Sequence, residues 1–248
     1  MTAKKLDVTK IVGKRIWAMG AHSDDLEFAC AGTLSLLAKN NEVGIVVVTD
    51  GKLGTHEYEV DKQALINSRI NEARKSGEIM GVKEVHFWSY PDWGLADRKK
   101  HLMKKMIKWW LKQRPEIVIS FDPWGKYEPY IHSDHRTLAW SVVESLMLAT
   151  LPQWVVKHKL GKRMLSPKPQ VWLMWPDESN VVVDVSSVWG KRMESLRVFE
   201  SQFDKEVDIN RMERWVTNNA AWVGEKIGVG YGEEFRILDY EGEWDEIE

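Results

Sequence analysis

Apolar runs of strand length alternate with helical patterns between residues 14 and 150 of this 248-residue chain. Residues 43–49 and 117–121 are nearly continuous runs of apolar and β-branched side chains, as expected for strands buried on both faces of a parallel sheet. Between such runs the pattern becomes helical, for example over residues 61–80, where Gly81 marks the predicted helix end. This alternation predicts an α/β fold with a mostly parallel sheet and right-handed crossovers.

The C-terminal part of the chain has a different pattern. Residues 171–175 and 181–185 are predicted strands, and the segments after them are predicted as two helices, 187–203 and 209–226, and a short strand, 235–240. No linker, low-complexity stretch or internal repeat interrupts the sequence. We therefore expect one domain over residues 1–248, with an N-terminal parallel α/β part at about 14–150 and a C-terminal part at about 168–248.

Composition argues against several classes of protein. The chain is 44% hydrophobic and 29% charged with a formal net charge of −2, so no global basic field points to a nucleic-acid partner. Its one cysteine, Cys30, excludes an intramolecular disulfide. Neither a membrane span nor a signal peptide is evident, which predicts a cytoplasmic protein. Fourteen tryptophans are compatible with a homo-oligomer, because some of them could lie in a contact surface.

One histidine and two adjacent carboxylates follow the first predicted strand, at the point where a helix begins. In open α/β sheets, ligands bind at the carboxyl ends of the strands. His22 and Asp25 are three residues apart at this turn, and an imidazole and a carboxylate at that spacing can bind one divalent cation. Asp24 lies between them and is free to act as a base. The structural alternative is that Ser23, Asp24 or Asp25 simply caps the helix.

A second group of histidines and carboxylates occupies the equivalent place after the fourth predicted strand. His132, Asp134 and His135 end a long loop and begin the next helix. The two strand ends can bring His22, Asp25 and one histidine of this segment together, and His135 is the expected third ligand. Two histidines and one carboxylate form a common catalytic zinc set, although other divalent metals accept the same donors. The structural alternative is again a helix cap, with two surface histidines.

Both motifs resemble those of the LmbE/PIG-L family of zinc-dependent N-acetylglucosaminyl deacetylases. His22 and Asp25, with Asp24 and Glu27, are similar to the family's HPDDxE motif, and the segment 132–135 is similar to its HxDH motif. One departure is Ser23, which occupies the family's proline position. Further similar segments span most of the chain, namely residues 31–34, 48–51, 69–82, 90–92, 200–202 and 233–235.

The resemblance implies a Rossmann-like three-layer sandwich that binds one zinc ion. It also implies the activity, which is removal of the N-acetyl group from a small amino-sugar substrate that contains N-acetylglucosamine. At the matching positions, His22, Asp25 and His135 would hold the zinc ion. Asp24 would be the general base.

Five further residues match functional positions of the family. His132 would polarise the acetyl carbonyl or protonate the leaving amine, with Asp134 orienting it. Tyr130 matches a tyrosine near the carbonyl oxygen, and Arg69 and Asp92 match positions that contact the sugar. From the residues alone, Arg69 could instead form an ion pair on a helix surface, and Asp92 could be a turn residue.

Two other functions stay open from the sequence. An amidase of the same family could act on another N-acyl substrate, such as a thiol-sugar conjugate, because the loops around the site set the substrate. A carbohydrate-binding or scaffold protein could keep the metal site without turnover, although such a site needs no free base like Asp24. Trp93 and Trp124, on predicted loops beside the site, could stack on a sugar ring or pack in the core.

Overall fold

The computed structural model describes residues 3–125, 132–161, 163–203 and 208–238. Its strands are β1 (Lys4–Leu6), β2 (Arg15–Gly20), β3 (Glu42–Thr49), β4 (Glu84–Tyr90), β5 (Ile117–Phe121), β6 (Gln170–Met174), β7 (Val181–Asp184) and β8 (Gly232–Leu238). Its helices are α1 (Asp25–Ala29), α2 (Ala31–Leu37), α3 (Lys62–Met80), α4 (Leu95–Gln113), α5 (Ser133–Ala149), α6 (Pro152–Lys157), α7 (Trp189–Arg197) and α8 (Ile209–Glu225). Short 3-10 turns cover Val8–Lys10, Ser186–Val188 and Glu200–Gln202.

The described strands form one sheet in the order β1-β7-β8-β6-β5-β2-β3-β4. The strands from β4 to β6 in this order pair in parallel, whereas β8 runs antiparallel to both β6 and β7. The chain passes from β2 through β3 to β4 at one edge and then returns to β5 on the other side of β2. The strand order therefore reverses between β2 and β5, and this is where open α/β sheets bind ligands.

Helices cover the sheet in two groups. Right-handed crossovers that run in opposite directions along a sheet place their helices on opposite faces. In agreement with this rule, α2, α3 and α7 contact one another, and α4 contacts α5. The α/β fold with a mostly parallel sheet in a Rossmann-like three-layer sandwich is thus confirmed. None of the helices in the described part of the chain combines the length and the apolar character that crossing a membrane requires.

The core lies around the central strands. Every residue of β5, and all but the first of β2 and β3, is buried. Trp110 and Trp172 are among the largest fully buried side chains, and the indole N–H of Trp110 donates to the Ser145 hydroxyl at 2.8 Å. The two-sided burial predicted for residues 43–49 and 117–121 is therefore observed in β3 and β5, and β2 shares it.

The helix after β2 is interrupted, which periodicity did not predict. Cys30 has φ −153° and ψ 22°, and it separates α1 from α2. The break places Gly32 and Thr33 in the first turn of α2, where backbone N–H groups have no partner within the helix. These buried N–H groups donate to the carboxylate of Glu233 at 3.0 and 2.7 Å. Gly32 also has no space for a side chain, since a Cβ there would lie 2.7 Å from that of Val185. The interruption therefore results from tertiary contacts with the C-terminal part.

Candidate active site

The end of β2 places His22 and Asp25 side by side. The backbone N–H of His22 donates to Asp25 Oδ2 at 2.8 Å, so one carboxylate oxygen closes the turn. Gly20 permits this close turn, because a Cβ at that position would lie 3.1 Å from both Asp25 Cβ and the His22 carbonyl oxygen. The second carboxylate oxygen, Oδ1, lies 3.7 Å from His22 Nδ1. The strand end thus directs one imidazole nitrogen and one carboxylate oxygen to the same region.

The third predicted ligand reaches this region from the other side of the switch point. His135 lies in the first turn of α5, and its ring stacks on Phe121, the last residue of β5, with the ring centroids 4.4 Å apart. Its Nε2 lies 3.0 Å from His22 Nδ1 and 3.3 Å from Asp25 Oδ1. The two neighbouring strand ends therefore bring all three predicted ligands together.

These three donor atoms fit a zinc ion. They form a triangle with sides of 3.0, 3.3 and 3.7 Å. The point equidistant from them lies about 2 Å from each, which is the usual length of Zn–N and Zn–O bonds. Two imidazole nitrogens and one carboxylate oxygen are also a donor set of catalytic zinc sites, in which a fourth position stays open.

Two further groups of possible ligands share His22. One joins His22 to His132 and His135, and the other joins His22 to Asp92 and Asp134. His22 Nε2 lies 3.2 Å from Asp92 Oδ1 and 3.9 Å from Asp134 Oδ2. A histidine that binds metal through one nitrogen commonly donates its other N–H to a carboxylate, which fixes the ring. This arrangement favours the predicted ligand set, with Asp92 as the carboxylate that orients His22.

Neighbouring charges shift the pKa values of the groups in this cluster. Burial lowers the pKa of His22, but the carboxylates of Asp25 and Asp92 outweigh burial and raise that pKa to about 10. Burial raises the pKa of Asp25, but the charges of His135 and His22 outweigh it and hold that pKa below its ordinary value. The carboxylates of the cluster therefore attract positive charge. A divalent cation that binds there competes with the proton on His22.

Asp24 lies at the edge of this cluster and faces a cleft. Among the described residues its side chain makes no cap hydrogen bond to α1, so helix capping does not explain it. Burial and the charge of Asp25 raise the pKa of Asp24 to about 6. A carboxylate with this pKa is suited to accept and return a proton near neutral pH. The cleft has a volume of about 370 Å³ and is also lined by Phe28, residues 53–56, residues 201–203 and Met212.

His132 caps α5 with its own side chain. Its Nδ1 accepts the backbone N–H of Asp134 at 3.2 Å, so the neutral ring carries its proton on Nε2. The ring centroid lies 4.6 Å from that of His22. Burial and the nearby charges of His22 and His135 lower the pKa of His132 to about 4. His132 is therefore a neutral hydrogen-bond donor beside the candidate metal site.

The carboxylate of Asp134 holds the loop that follows β4. It is fully buried and accepts the backbone N–H groups of Trp93 at 2.7 Å and Leu95 at 3.1 Å. Burial raises the pKa of Asp134. The sequence predicted that Asp134 orients His132, and the structure connects the two residues through the Asp134 backbone N–H. Its carboxylate instead ties the loop after β4 to α5.

Arg69 lies beneath the cleft and is 3% exposed. Its guanidinium donates to the carbonyl oxygen of Gly51, to that of Gly54 at 2.5 Å and to the side-chain oxygen of Gln202 at 2.9 Å. Burial lowers the pKa of this guanidinium. The contact of Arg69 with a sugar stays a prediction, and the observed contacts give it a part in shaping the cleft.

Glu72 is a residue whose part in the site the sequence analysis missed. Its two carboxylate oxygens accept the backbone N–H and the hydroxyl of Ser201 at 2.8 and 2.6 Å. Arg69 and Glu72, three residues apart on α3, therefore fix both segments that line the cleft. A signal for this contact existed in the sequence, because the segments 69–82 and 200–202 both carry the family resemblance.

Ser23, at the family's proline position, is buried, and among the described residues its hydroxyl has no hydrogen-bond partner. With Arg69 it lines a small cavity of about 10 Å³. The adjacent contact of His22 with Asp25 is intact, as expected if Ser23 is not a ligand. Tyr130, predicted to lie near the carbonyl oxygen, is outside the described residues.

Comparison with known proteins gives the family. The model of the family "PIG-L: GlcNAc-PI de-N-acetylase" matches residues 17–146. Diacetylchitobiose deacetylase of Thermococcus kodakarensis is 29% identical over 226 residues, which cover 91% of this chain and 83% of that protein. The solved structure of N,N'-diacetylchitobiose deacetylase from Pyrococcus horikoshii matches with a TM-score of 0.84 at 30% identity, covering 91% of this chain and 84% of that one.

A more distant structure shares the fold alone. The 4-carboxy-2-hydroxymuconate hydratase GalB from Pseudomonas putida matches with a TM-score of 0.71 at 18% identity, covering 91% of this chain and 96% of that one. A hydratase on the same fold shows that the fold by itself does not decide the reaction. The family match extends over both the HSDD and the HSDH segments. This chain therefore belongs to the GlcNAc-PI de-N-acetylase (PIG-L) family.

Proposed function

We propose that this protein is a zinc-dependent hydrolase that removes the N-acetyl group from a small molecule containing N-acetylglucosamine. The observation that carries the proposal is the meeting of His22, Asp25 and His135 at ligand distances, with Asp24 beside them on the cleft wall. Relatives that match over 91% of this chain are diacetylchitobiose deacetylases by name, which supports a sugar-linked acetamide as the substrate.

The reaction needs a stronger nucleophile and a more electrophilic carbonyl than a free amide and water provide. A bound zinc ion supplies Lewis acidity for both the amide carbonyl and the attacking water. Asp24 accepts a proton from that water as its oxygen bonds to the carbonyl carbon. The raised pKa of Asp24 lets the same carboxyl group return the proton to the nitrogen when the C–N bond breaks, so that the amine leaves neutral.

His132 stabilises the negative charge that develops on the carbonyl oxygen. Because Nδ1 accepts the backbone N–H of Asp134, the proton on Nε2 is available to a substrate oxygen. A fixed donor aimed at a developing oxyanion is a strong source of transition-state stabilisation. The lowered pKa of His132 supports a neutral donor rather than a proton carrier. Of the two roles implied by the resemblance, polarisation of the carbonyl is the one that these contacts favour.

The cleft suits a small polar molecule with one apolar side. Thr55, His56, Ser201 and Gln202 offer polar groups, and the lining includes apolar side chains of residues 28, 53, 203 and 212. Its volume of about 370 Å³ lies in the range of small-molecule sites. A sugar presents hydroxyl groups at its rim and C–H groups on its faces, and it therefore matches both kinds of lining.

The test is free-amine release from N-acetylglucosamine, diacetylchitobiose, an inositol-linked N-acetylglucosamine and a thiol-sugar amide. Each substrate is tested with zinc-loaded and with chelator-treated protein. We expect release that needs zinc and that favours an N-acetylglucosamine compound. Release only from the thiol-sugar or another amide would move the protein to the amidase alternative. No release from any substrate, with zinc still bound, would refute the enzyme and leave a binding protein.

A further inference from the structure

Trp93, directly after Asp92, has a backbone conformation that is rare for a bulky residue. Its φ is 58°, in the left-handed region that favours glycine. Three hydrogen bonds impose this turn, because Asp134 accepts the N–H groups of Trp93 and Leu95, and the Gly94 N–H donates to the Pro91 carbonyl at 3.0 Å. Strained backbone that the surroundings enforce is concentrated at functional sites.

The indole of Trp93 is exposed although it stands beside the catalytic groups. The side chain contacts the ring of His132 with the centroids 4.0 Å apart and the planes tilted by 37°. The residue is nevertheless 56% exposed. Packing in the core therefore does not explain Trp93. Trp124 is also 45% exposed, but its ring contacts Trp140, with the centroids 5.2 Å apart, and the guanidinium of Arg236 instead of the site histidines.

Asp92, the residue before Trp93, links the candidate metal site to the cleft. One carboxylate oxygen of the preceding Asp92 lies 3.2 Å from His22 Nε2, and the other accepts the backbone N–H of Leu53 at 2.9 Å. Leu53 lines the cleft together with Asp24. The indole thus contacts the imidazole that would face the substrate carbonyl, and its backbone directly follows the residue that holds the cleft wall at Leu53.

We propose that the indole of Trp93 is the surface on which the sugar ring of the substrate stacks, and that Trp93 determines specificity for a pyranose-linked acetamide. This proposal rests on the proposed function. When the acetyl carbonyl lies at His132, the attached ring extends from that point, and the adjacent indole offers it a flat apolar surface. The weakly positive C–H groups of a pyranose face are attracted to the negative face of an indole, and their contact removes apolar surface from water.

The backbone conformation allows variants that remove the indole without disturbing the turn. Asparagine accepts a positive φ more readily than tryptophan does, so Trp93→Asn keeps the loop and removes the stacking surface. Trp93→Phe keeps a smaller aromatic face. Trp222→Ala is the matched control, because Trp222 is also 56% exposed but lies on α8, ten residues beyond the cleft residue Met212.

The first measurement is kinetic, on N-acetylglucosamine and on a ring-free acetamide such as N-acetylethanolamine. We expect Trp93→Asn to raise KM for the sugar about tenfold, which corresponds to about 1.4 kcal/mol, with little change in kcat. KM for the ring-free acetamide should stay the same, Trp93→Phe should fall between, and Trp222→Ala should match the wild type. Equal losses on both substrates would overturn the proposal, since Trp93 would then act by positioning His132. Unchanged KM for the sugar would overturn it as well.

The second measurement is calorimetric binding of glucosamine and N-acetylglucosamine to the zinc-loaded wild type and to Trp93→Asn. It needs no turnover, so it separates the two proposals. Weaker sugar binding by Trp93→Asn would support stacking even if the wild type released no amine, an outcome that would refute only the proposed activity. Equal sugar binding by both proteins, with normal deacetylation by the wild type, would refute only the role of Trp93.

Discussion

The carboxylate of Glu233 gives the sharpest stability prediction. It is 3% exposed and accepts hydrogen bonds from Gly32 N–H, Thr33 N–H and Arg192 Nε at 3.0, 2.7 and 2.6 Å. Arg192 is also 3% exposed and donates to the Phe28 carbonyl at 3.0 Å. The buried ion pair thus ties β8 and α7 to both sides of the break between α1 and α2. Because α1 begins with the candidate ligand Asp25, the pair also supports the candidate site.

The informative change is Glu233→Gln, which keeps the size of the side chain and removes its charge. The guanidinium of Arg192 would then be buried without a counter-ion, and the new amide N–H₂ would face a donor. Removal of one partner of a buried ion pair costs about 3–5 kcal/mol. This is a large part of the roughly 5–15 kcal/mol by which a native domain is stable. We therefore expect a large loss in the free energy of unfolding.

Unfolding in guanidinium chloride, monitored by tryptophan fluorescence, measures this loss in the free energy of unfolding. The control is Glu213→Gln in the Arg197–Glu213 pair, whose Nε and Oε1 are 2.5 Å apart but whose side chains are 53% and 24% exposed. An exposed pair contributes about 0–1 kcal/mol. The double variant that combines Glu233→Gln with Arg192→Met should recover part of the stability that Glu233→Gln loses, because it no longer buries an unpaired charge. A loss no larger than that of Glu213→Gln would refute the argument that burial makes the Glu233 contact important.

Three further predictions concern the site. Asp24→Ala should keep zinc but lower kcat by about 10²–10⁴-fold, the usual contribution of a general base; loss of zinc as well would show that the base is misassigned. His135→Ala should contain little zinc when its metal content is measured by elemental analysis. A full equivalent of zinc in this variant would remove His135 from the ligand set. Glu72→Gln should release the 200–202 segment and raise KM severalfold at constant zinc content. The control Glu78→Gln, at an exposed position on the same helix, should behave as the wild type. An equal KM for the two variants would contradict the role of Glu72.

Much of the parallel part of the fold was predictable from local rules. β5 was expected over residues 117–121 and is observed at Ile117–Phe121, because a strand buried on both faces is a continuous apolar run. Likewise, Asp61 caps α3 with its side chain, and Gly81 ends that helix with φ 83°. Each of these features depends on residues that are adjacent in sequence, which is why the sequence contains it.

The parts that escaped prediction depend on distant residues. β1 has three residues and an exposed pattern, so it forms only through its pairing with β7. β8 lies between β6 and β7, and periodicity contains no information about such an insertion. The break at Cys30 depends on the carboxylate of Glu233, more than 200 residues away along the chain. Local patterns identify elements, but they do not identify partners.

The meeting of the three candidate ligands was predictable for a topological reason. His22 and His135 follow two strands whose carboxyl ends share one edge of the sheet, so their meeting needs no knowledge of side-chain packing. The functions of single residues were less accessible. The Asp134 carboxylate matches a motif, yet its oxygens accept the backbone N–H groups of a loop that the motif does not contain. A motif therefore gave the position of Asp134 but not its hydrogen-bond partners.

Arg69 and Glu72 show how far a helical spacing can mislead. Opposite charges three residues apart on a helix are expected to pair with each other on its surface. Here the guanidinium is buried and donates to the Gly51 and Gly54 carbonyls, while Glu72 accepts from Ser201. A buried backbone carbonyl needs a donor, and Arg69 supplies one to the buried Gly51 in the loop after β3 and also bonds the Gly54 carbonyl there. A change at either residue should therefore act on the shape of the cleft and hence on KM, even where neither side chain contacts the substrate.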